Sequence, residues 1–361
     1  MIIDRSSPVP QYFQLQTWLI EQIEQGIFRP RDKIPTEAEL VETTGLARAT
    51  IRQAVQNLVN MGYLERRKRL GTFVIDKKNE IEKRTIVGII VPDIRRGYAP
   101  ELARGAEDES SNNKLSLILC STDDLYMKAD IHANRLIENA VSGVIFVPTA
   151  ASDDKNRQIV EKFLRKKIPI VLADRTLADM NVDHVTTDNF NGAYKITEHL
   201  IRKGHRKIAI MLSTLFSTER ERLRGYKQAL EDHEIHVDDS IILTDNGPFI
   251  ELRYLKYARK ILHRRPEITA VFAGHDRIAL QIFAAANEMN IKIPDDISVV
   301  GYDDLHFSTI SLTTMHQPIY EMGVESMKLI LSRIKGEVKK THKIILKSYL
   351  VERNSVKPIE K

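Results

Sequence analysis

The sequence holds a single cysteine, Cys120, so no disulfide forms within the chain. Disulfide-stapled scaffolds are excluded, and a reducing compartment is expected. The flank of that thiol, LSLILCS, is apolar, which reads as a buried, inert side chain rather than a nucleophile. The N-terminus, MIIDRSSPVPQYF, has no basic segment followed by an apolar core, so a secretory signal is not expected. No apolar run reaches the roughly 20 residues that span a bilayer. The expectation is a soluble cytoplasmic protein with no membrane partner. Phosphate-loop, HExxH and CxxC motifs are all missing. The neighbours Asp123-Asp124 and Asp303-Asp304 have no nucleophile–base motif beside them, and adjacent residues in a turn rarely converge on one bond. No catalysis, cofactor or bound metal is expected.

What is present divides into two textures. A chain of 361 residues is too long for one ordinary domain. Apolar residues make up 42% and charged residues 29%, enough for sizeable cores. The net charge of +5 is mild, but residues 64–84, LERRKRLGTFVIDKKNEIEKR, concentrate basic side chains. Such a patch suits a nucleic-acid footprint.

Residues 11–25 read as an amphipathic helix with Tyr12, Leu15, Leu19, Ile20 and Ile23 on one side, ended by Gly26. Thr36 and Glu39 form the spacing of a capping box for a second helix, which Gly45 closes. Residues 48–61 give a third, with Ile51, Val55, Leu58 and Val59 inward and Gly62 after it. Its entrance carries Arg48, Thr50 and Arg52, although the positive end of a helix dipole disfavours cations. Cations there make sense if the anion comes from outside, as a phosphate or a base edge. YLERRKRLGTFVI then reads as two short strands around a basic tip. Three helices and a hairpin within residues 1–75 make a winged helix-turn-helix, with the third helix in the reading position.

Residues 76–84, DKKNEIEKR, are charged and aperiodic, a linker. Residues 85–361 follow, where short Val- and Ile-rich runs alternate with helical patterns: TIVGIIVPDI, LSLILCS, GVIFVP, IPIVLAD, KIAIMLS, AVFAG and ISVVGYDD. Continuous apolar strands between helices predict parallel sheets covered on both faces, in an α/β domain of two doubly wound lobes. Ligands of such sheets sit at the carboxyl ends of the strands, which singles out Asp93, Asp174, Arg175, His275 and Asp303.

Residues 8–75 resemble the GntR family of bacterial regulators, through PVPQY, GIFRPRDKIPTEAEL, ARATIRQAVQNLVNMGYLERR and GTFV. Residues 85–355 resemble the periplasmic-binding-protein-like (type I) sensor of the LacI family, through SGVIFVP, VLADR, TTDNFNGAYKITEHLIRKGHRKIAIM, ERERLRGYKQAL, TAVFAGHDRIALQ, IPDDISVVGYDD and LTTMHQPIYEMG. The combination is similar to the arabinose-repressor type of hybrid regulator. The resemblance implies contacts to double-stranded, palindromic operator DNA at Arg48, Ala49, Thr50 and Arg52, at Thr36 and Glu37, and in the wing at Lys68, Arg69, Gly71 and Thr72. It implies a sugar effector between the lobes, forked by Arg222 and accepted by Asp303. Asp174 and Arg175, His275 in place of a common Asn, Phe249 as a stacking aromatic, Asp93, Tyr98 and Phe146 complete the expected ligand set. It also implies a homodimer through the sensor, with ELARGAEDE as a contact helix, and a repressor of sugar-utilisation genes. A non-sugar effector such as a nucleoside is the alternative; a free-standing sugar-binding protein is disfavoured by residues 1–75. The expected lobes are 85–186 with 318–337, and 188–315 with 340–355. Two features depart from the families. DKKNEIEKR lacks the apolar wedge of a LacI hinge helix, and the wing tip reads Arg67-Lys68-Arg69-Leu70-Gly71 rather than Gly before a basic residue.

Overall fold

The computed structural model describes residues 3–4, 7–75, 85–245, 251–306, 310–337 and 340–359. Contacts divide the chain into two compact units, residues 1–84 and 85–361. The linker expected at 76–84 lies outside the described residues.

The first unit is a small helical domain with a hairpin. Its helices are α1 (Gln11–Glu24), α2 (Glu37–Thr44) and α3 (Arg48–Asn60), and its strands are β1 (Leu64–Arg67) and β2 (Gly71–Val74). Helical periodicity brings Leu15, Leu19, Leu40, Ile51, Val55 and Leu58 into one buried core, which Leu64 and Val74 extend from the hairpin. Tyr12, Ile20, Ile23 and Val59 pack only partly buried at its edge. The Thr36 hydroxyl accepts the Glu39 N–H while the Glu39 carboxylate accepts the Thr36 N–H, the reciprocal box that fixes where α2 begins. Gly45 ends α2 at φ 69°, a conformation that costs glycine nothing.

The second unit contains two six-stranded sheets. The first has the order β13-β7-β6-β5-β3-β4, with β3 (Ile86–Val91), β4 (Ser116–Ser121), β5 (Gly143–Phe146), β6 (Ile170–Ala173), β7 (Asp183–Thr187) and β13 (Lys343–Leu346). All its pairings are parallel. It is covered by α4 (Ala99–Asn112), α5 (Tyr126–Glu138), α6 (Asp153–Arg165) and α11 (Ile319–Ile334). The second has the order β14-β12-β11-β10-β8-β9, with β8 (Ile208–Ser213), β9 (Ile242–Asp245), β10 (Ala270–Ala273), β11 (Ser298–Asp303), β12 (Thr313–His316) and β14 (Tyr349–Val351). Among the described residues only β14 is antiparallel there. Its helices are α7 (Asn189–Arg202), α8 (Ser217–Asp232), α9 (Glu251–Leu262) and α10 (Asp276–Glu288).

Each central strand buries both faces. In β3, Val87, Ile89 and Val91 enter one apolar cluster and Ile90 the other. That is why these strands read as unbroken apolar runs. The chain crosses between lobes three times: from β7 to α7, from β12 to α11, and from β13 to β14. The last crossing corrects the expected boundary, which put all of 340–355 in the second lobe. Strand β13 pairs with β7 and completes the first sheet, so only the chain beyond Leu346 joins the second. The run KIILKSYLV shows no break at that point, and partner choice rather than local pattern decides where it splits.

In the first lobe α4 and α11 touch backbone to backbone. A Cβ on Gly105 would meet the Tyr320 carbonyl at 2.0 Å, and one on Gly323 would meet the Leu102 carbonyl at 2.2 Å. Neither backbone can rotate away as a side chain would. Gly323→Ala should therefore destabilise the sensor by ~1–3 kcal/mol, read as a lowered melting temperature of the full chain. An unchanged melting curve would mean that the two helices part freely.

Candidate ligand cleft and DNA-reading face

The polar residues of the second unit gather in a cleft just past the carboxyl ends of parallel strands. The loop after β3 supplies Asp93, Arg96 and Tyr98, and the turn after β4 supplies Asp124. Asp174 and Arg175 follow β6, and Asp303 ends β11. From the second lobe come Phe216, Thr218, Glu219 and Arg222 around the start of α8, and His275 and Arg277 at the start of α10. Gln317, on the β12-to-α11 crossing, closes the set. Asp174 and Asp303 hold positive φ, 62° and 119°, a backbone that residues with a Cβ rarely adopt.

Arg222 is buried and held on three sides. Its Nε donates to Asn189 Oδ1 at 2.8 Å, one terminal nitrogen donates to the Gly274 carbonyl at 2.7 Å, and its plane lies 3.8 Å over the Tyr302 ring. The other terminal nitrogen faces Asp303 at 3.7 Å. Asp303 also accepts from Gln317 Nε2 at 2.6 Å, and Thr187 donates to that same amide, so the carboxylate is tied to two lobe crossings. Burial pushes the Asp303 carboxyl up to about 7 against the pull of Arg222.

Arg175 is fixed in the same way by Asp124, by the Pro148 carbonyl at 2.7 Å and by the Phe216 ring at 3.7 Å. Burial raises the neighbouring Asp174 carboxyl. Hydrogen bonds from Arg95, on its side chain and backbone, hold Asp93 down at about 2. His275 is driven well below its ordinary value by burial and then by Arg277, so it stands neutral at the cleft wall. The Tyr98 hydroxyl is buried beside Asp174 without a hydrogen bond of ordinary geometry.

Seven of the nine residues expected at a ligand therefore line one cleft: Asp93, Tyr98, Asp174, Arg175, Arg222, His275 and Asp303. Phe146 does not. Its side chain is fully buried among Ile90, Ala129, Leu136 and Phe163, because its position in β5 points into the helix layer behind the sheet. Phe249 lies outside the described residues. Asp124, Phe216, Glu219, Arg277 and Gln317 were not anticipated. The signal available was their place directly after apolar runs or beside Arg222 in ERERLRGY.

On the reader, Arg48, Ala49, Arg52, Lys68 and Arg69 are exposed, while Thr50, Gly71 and Thr72 are half-buried. Thr36 spends its hydroxyl on the α2 cap. Glu37 accepts from Arg52 at 3.3 Å and faces Arg66 at 3.6 Å, so it bridges the third helix and the wing. Arg67 pairs with Glu65 and covers Phe73. Among the described residues Arg48, Lys68 and Arg69 have no carboxylate partner. Within Arg66–Arg69, two members thus face a carboxylate and two do not among the described residues, a distinction that charge counting does not make.

Comparison with known proteins agrees with both halves. Residues 11–74 match the model of bacterial regulatory proteins of the gntR family, and residues 197–356 match that of the periplasmic binding protein-like domain. The arabinose metabolism transcriptional repressor of Geobacillus stearothermophilus is 32% identical over 364 residues, 98% of this chain and 100% of its own. The ribose operon repressor of Halalkalibacterium halodurans is 31% identical over 276 residues, 75% of this chain and 80% of its own. Among solved structures, a LacI family transcriptional regulator from Enterococcus faecium with bound ribose shares 28% identity at a TM-score of 0.67, covering 76% of this chain and 100% of that one. A gntR-type reader joined to a LacI-type sensor and matched along the whole chain places this protein in the family of arabinose-repressor-type transcriptional regulators.

Proposed function

We propose that this regulator represses sugar-utilisation genes and leaves its operator when a neutral sugar occupies the cleft. The observation that carries the reading is Arg222, a buried guanidinium with one nitrogen turned toward Asp303 inside a cleft between two lobes. A guanidinium fork and a carboxylate match the donors and acceptors of adjacent hydroxyls. The lining balances five carboxyls (Asp93, Asp124, Asp174, Glu219, Asp303) against four guanidinium groups (Arg96, Arg175, Arg222, Arg277), which favours an uncharged ligand. A nucleoside is favoured less, since Arg175 covers the Phe216 ring on which a base would stack.

The sensor carries the homodimer contact in this reading. Leu119 on the edge strand β4 and Leu125, Met127 and Ile131 beside it are exposed, and such an apolar patch gains from a covering surface. A dimer would present two readers to a palindromic operator. The sugar acts by binding one arrangement of the lobes better than the other. Among the described residues no helix is long and apolar enough to cross a membrane, consistent with a regulator acting on DNA in the cytoplasm.

The direct test is release of labelled operator DNA, followed by fluorescence anisotropy, as arabinose or ribose is added. Three variants divide the parts. Arg48→Ala should cost ~1–3 kcal/mol on the cognate operator and relax preference at one base position. Equal loss on random DNA would reassign Arg48 to a phosphate. Glu37→Gln should free Arg52 and Arg66, tighten binding to random DNA and steepen its salt dependence by about one unit. An unchanged slope would show that these ion pairs do not restrain the arginines in solution. Arg222→Lys should raise the sugar's dissociation constant about tenfold or more, because a point charge cannot replace the fork. Calorimetry that finds wild-type affinity in this variant would move the ligand site elsewhere.

A further inference from the structure

The first two turns of α8 present Thr218, Glu219 and Arg222 to the cleft. Glu219 and Arg222 are three residues apart, so they share one helix face. Glu219 is only 3% exposed. Its Oε2 accepts the backbone N–H of Ser213 at the end of β8. Its Oε1 makes no hydrogen bond among the described residues, and the nitrogen Nε2 of the neutral His275 lies 3.8 Å away. No guanidinium or ammonium group stands within ion-pair distance of it among the described residues. Arg222 is committed to Asn189, Gly274 and Asp303, and Arg175 to Asp124. Capping Ser213 requires one neutral acceptor. A full carboxyl with its second oxygen turned to the cleft wall exceeds that requirement, and buried polar atoms are normally satisfied.

We propose that Glu219 is a ligand-contacting residue, whose Oε1 accepts a hydroxyl of a neutral polyol held between it and Asp303, and that this contact makes effector affinity depend on pH. The inference rests on the sugar reading above. The groups facing Glu219 are Arg222 on its own helix, His275 before α10, Asp303 at the end of β11, Arg175 after β6 and Tyr254 on α9. Those facing Asp303 are Arg222, Asp174, Asp276, Arg277 and Gln317. Burial raises both carboxyls to about 7, with Arg222 opposing it in each case. A hydroxyl donates to the ionised form, and a charge-assisted bond is stronger than a neutral one. Affinity should therefore be greatest above that value and fall as pH drops below it, because protonation competes with the ligand.

The test is calorimetry of the full-length protein with arabinose and with ribose between about pH 5.5 and 8. The wild-type dissociation constant should rise on acidification through the contributions of both carboxyls. Glu219→Gln keeps an oxygen for the Ser213 N–H and removes a buried charge, so it should fold and melt no lower than wild type at the alkaline end. It should bind the sugar about tenfold or more weakly there, and its pH profile should keep only the share of Asp303. Wild-type affinity together with a wild-type pH profile in this variant would overturn the proposal and leave Glu219 as a cap for Ser213. Should the variant not fold, Glu219→Asp keeps the charge one methylene short, and undiminished affinity there overturns the proposal equally. If neither sugar binds the wild-type chain, the sugar reading itself fails and takes this inference with it. That outcome is distinct from a wild type that binds and a variant that binds equally well.

Discussion

The buried guanidinium of Arg222 is the constraint on which the sensor's centre depends. A cation taken out of water is tolerated only where fixed dipoles and opposite charge replace its hydration. Here an amide oxygen, a main-chain carbonyl and an aromatic face replace it from the second lobe, and Asp303 supplies the charge. Each partner requires its own element to end in the right place. Asn189 must begin α7, Gly274 must follow β10, and Asp303 must terminate β11 with a backbone few residues adopt. Both sheets take part, because Asn189 follows the end of β7 in the first while Gly274 and Asp303 stand at the ends of β10 and β11 in the second. Gln317 then connects that carboxylate to the segments that pass between lobes, so a ligand that engages Asp303 also engages the hinge.

The reader rests on a different economy. Its helices share one buried apolar cluster, and their positions are fixed by that cluster, a capping box and a left-handed glycine. Charge is arranged on the outside. Glu37 faces Arg52 and Arg66, Glu65 faces Arg67, and Arg48, Lys68 and Arg69, with no carboxylate partner among the described residues, lie on the third helix and at the wing tip. Pairing of this kind lets a basic surface discriminate. An arginine already paired with a carboxylate must give up that partner before it engages DNA, so a random phosphate, which carries no sequence information, returns less than it would to a free arginine.

Much of this is legible in the sequence itself. Thr36 and Glu39 announce a helix start because both partners of the cap lie within four residues. The strands announce themselves because burial on two faces leaves no polar alternation. The strand-end residues Asp174, Arg175, His275 and Asp303 follow from the rule that parallel strands deliver their successors to one rim. Partner choice across long separations was not legible. The burial of Phe146 depends on which face of β5 it takes, a matter of register with β3 and β6. The membership of β13 depends on β7, more than 150 residues earlier, by the pairing of Lys343 with His184. Glu219 was hidden among the charges of ERERLRGY, where helix phase alone distinguishes a solvated side chain from a buried one.

The interleaving of the two lobes also governs how the chain is made. A ribosome releases β3 to β7 long before it releases α11 and β13, yet those late elements cover one face of the first sheet and extend its edge beyond β7. Until they emerge, Val87, Ile89, Ile145 and Val171 present an apolar surface with part of its cover still untranslated. The first lobe must wait for the second, and a chain that stops after β12 exposes what an aggregating neighbour would seek.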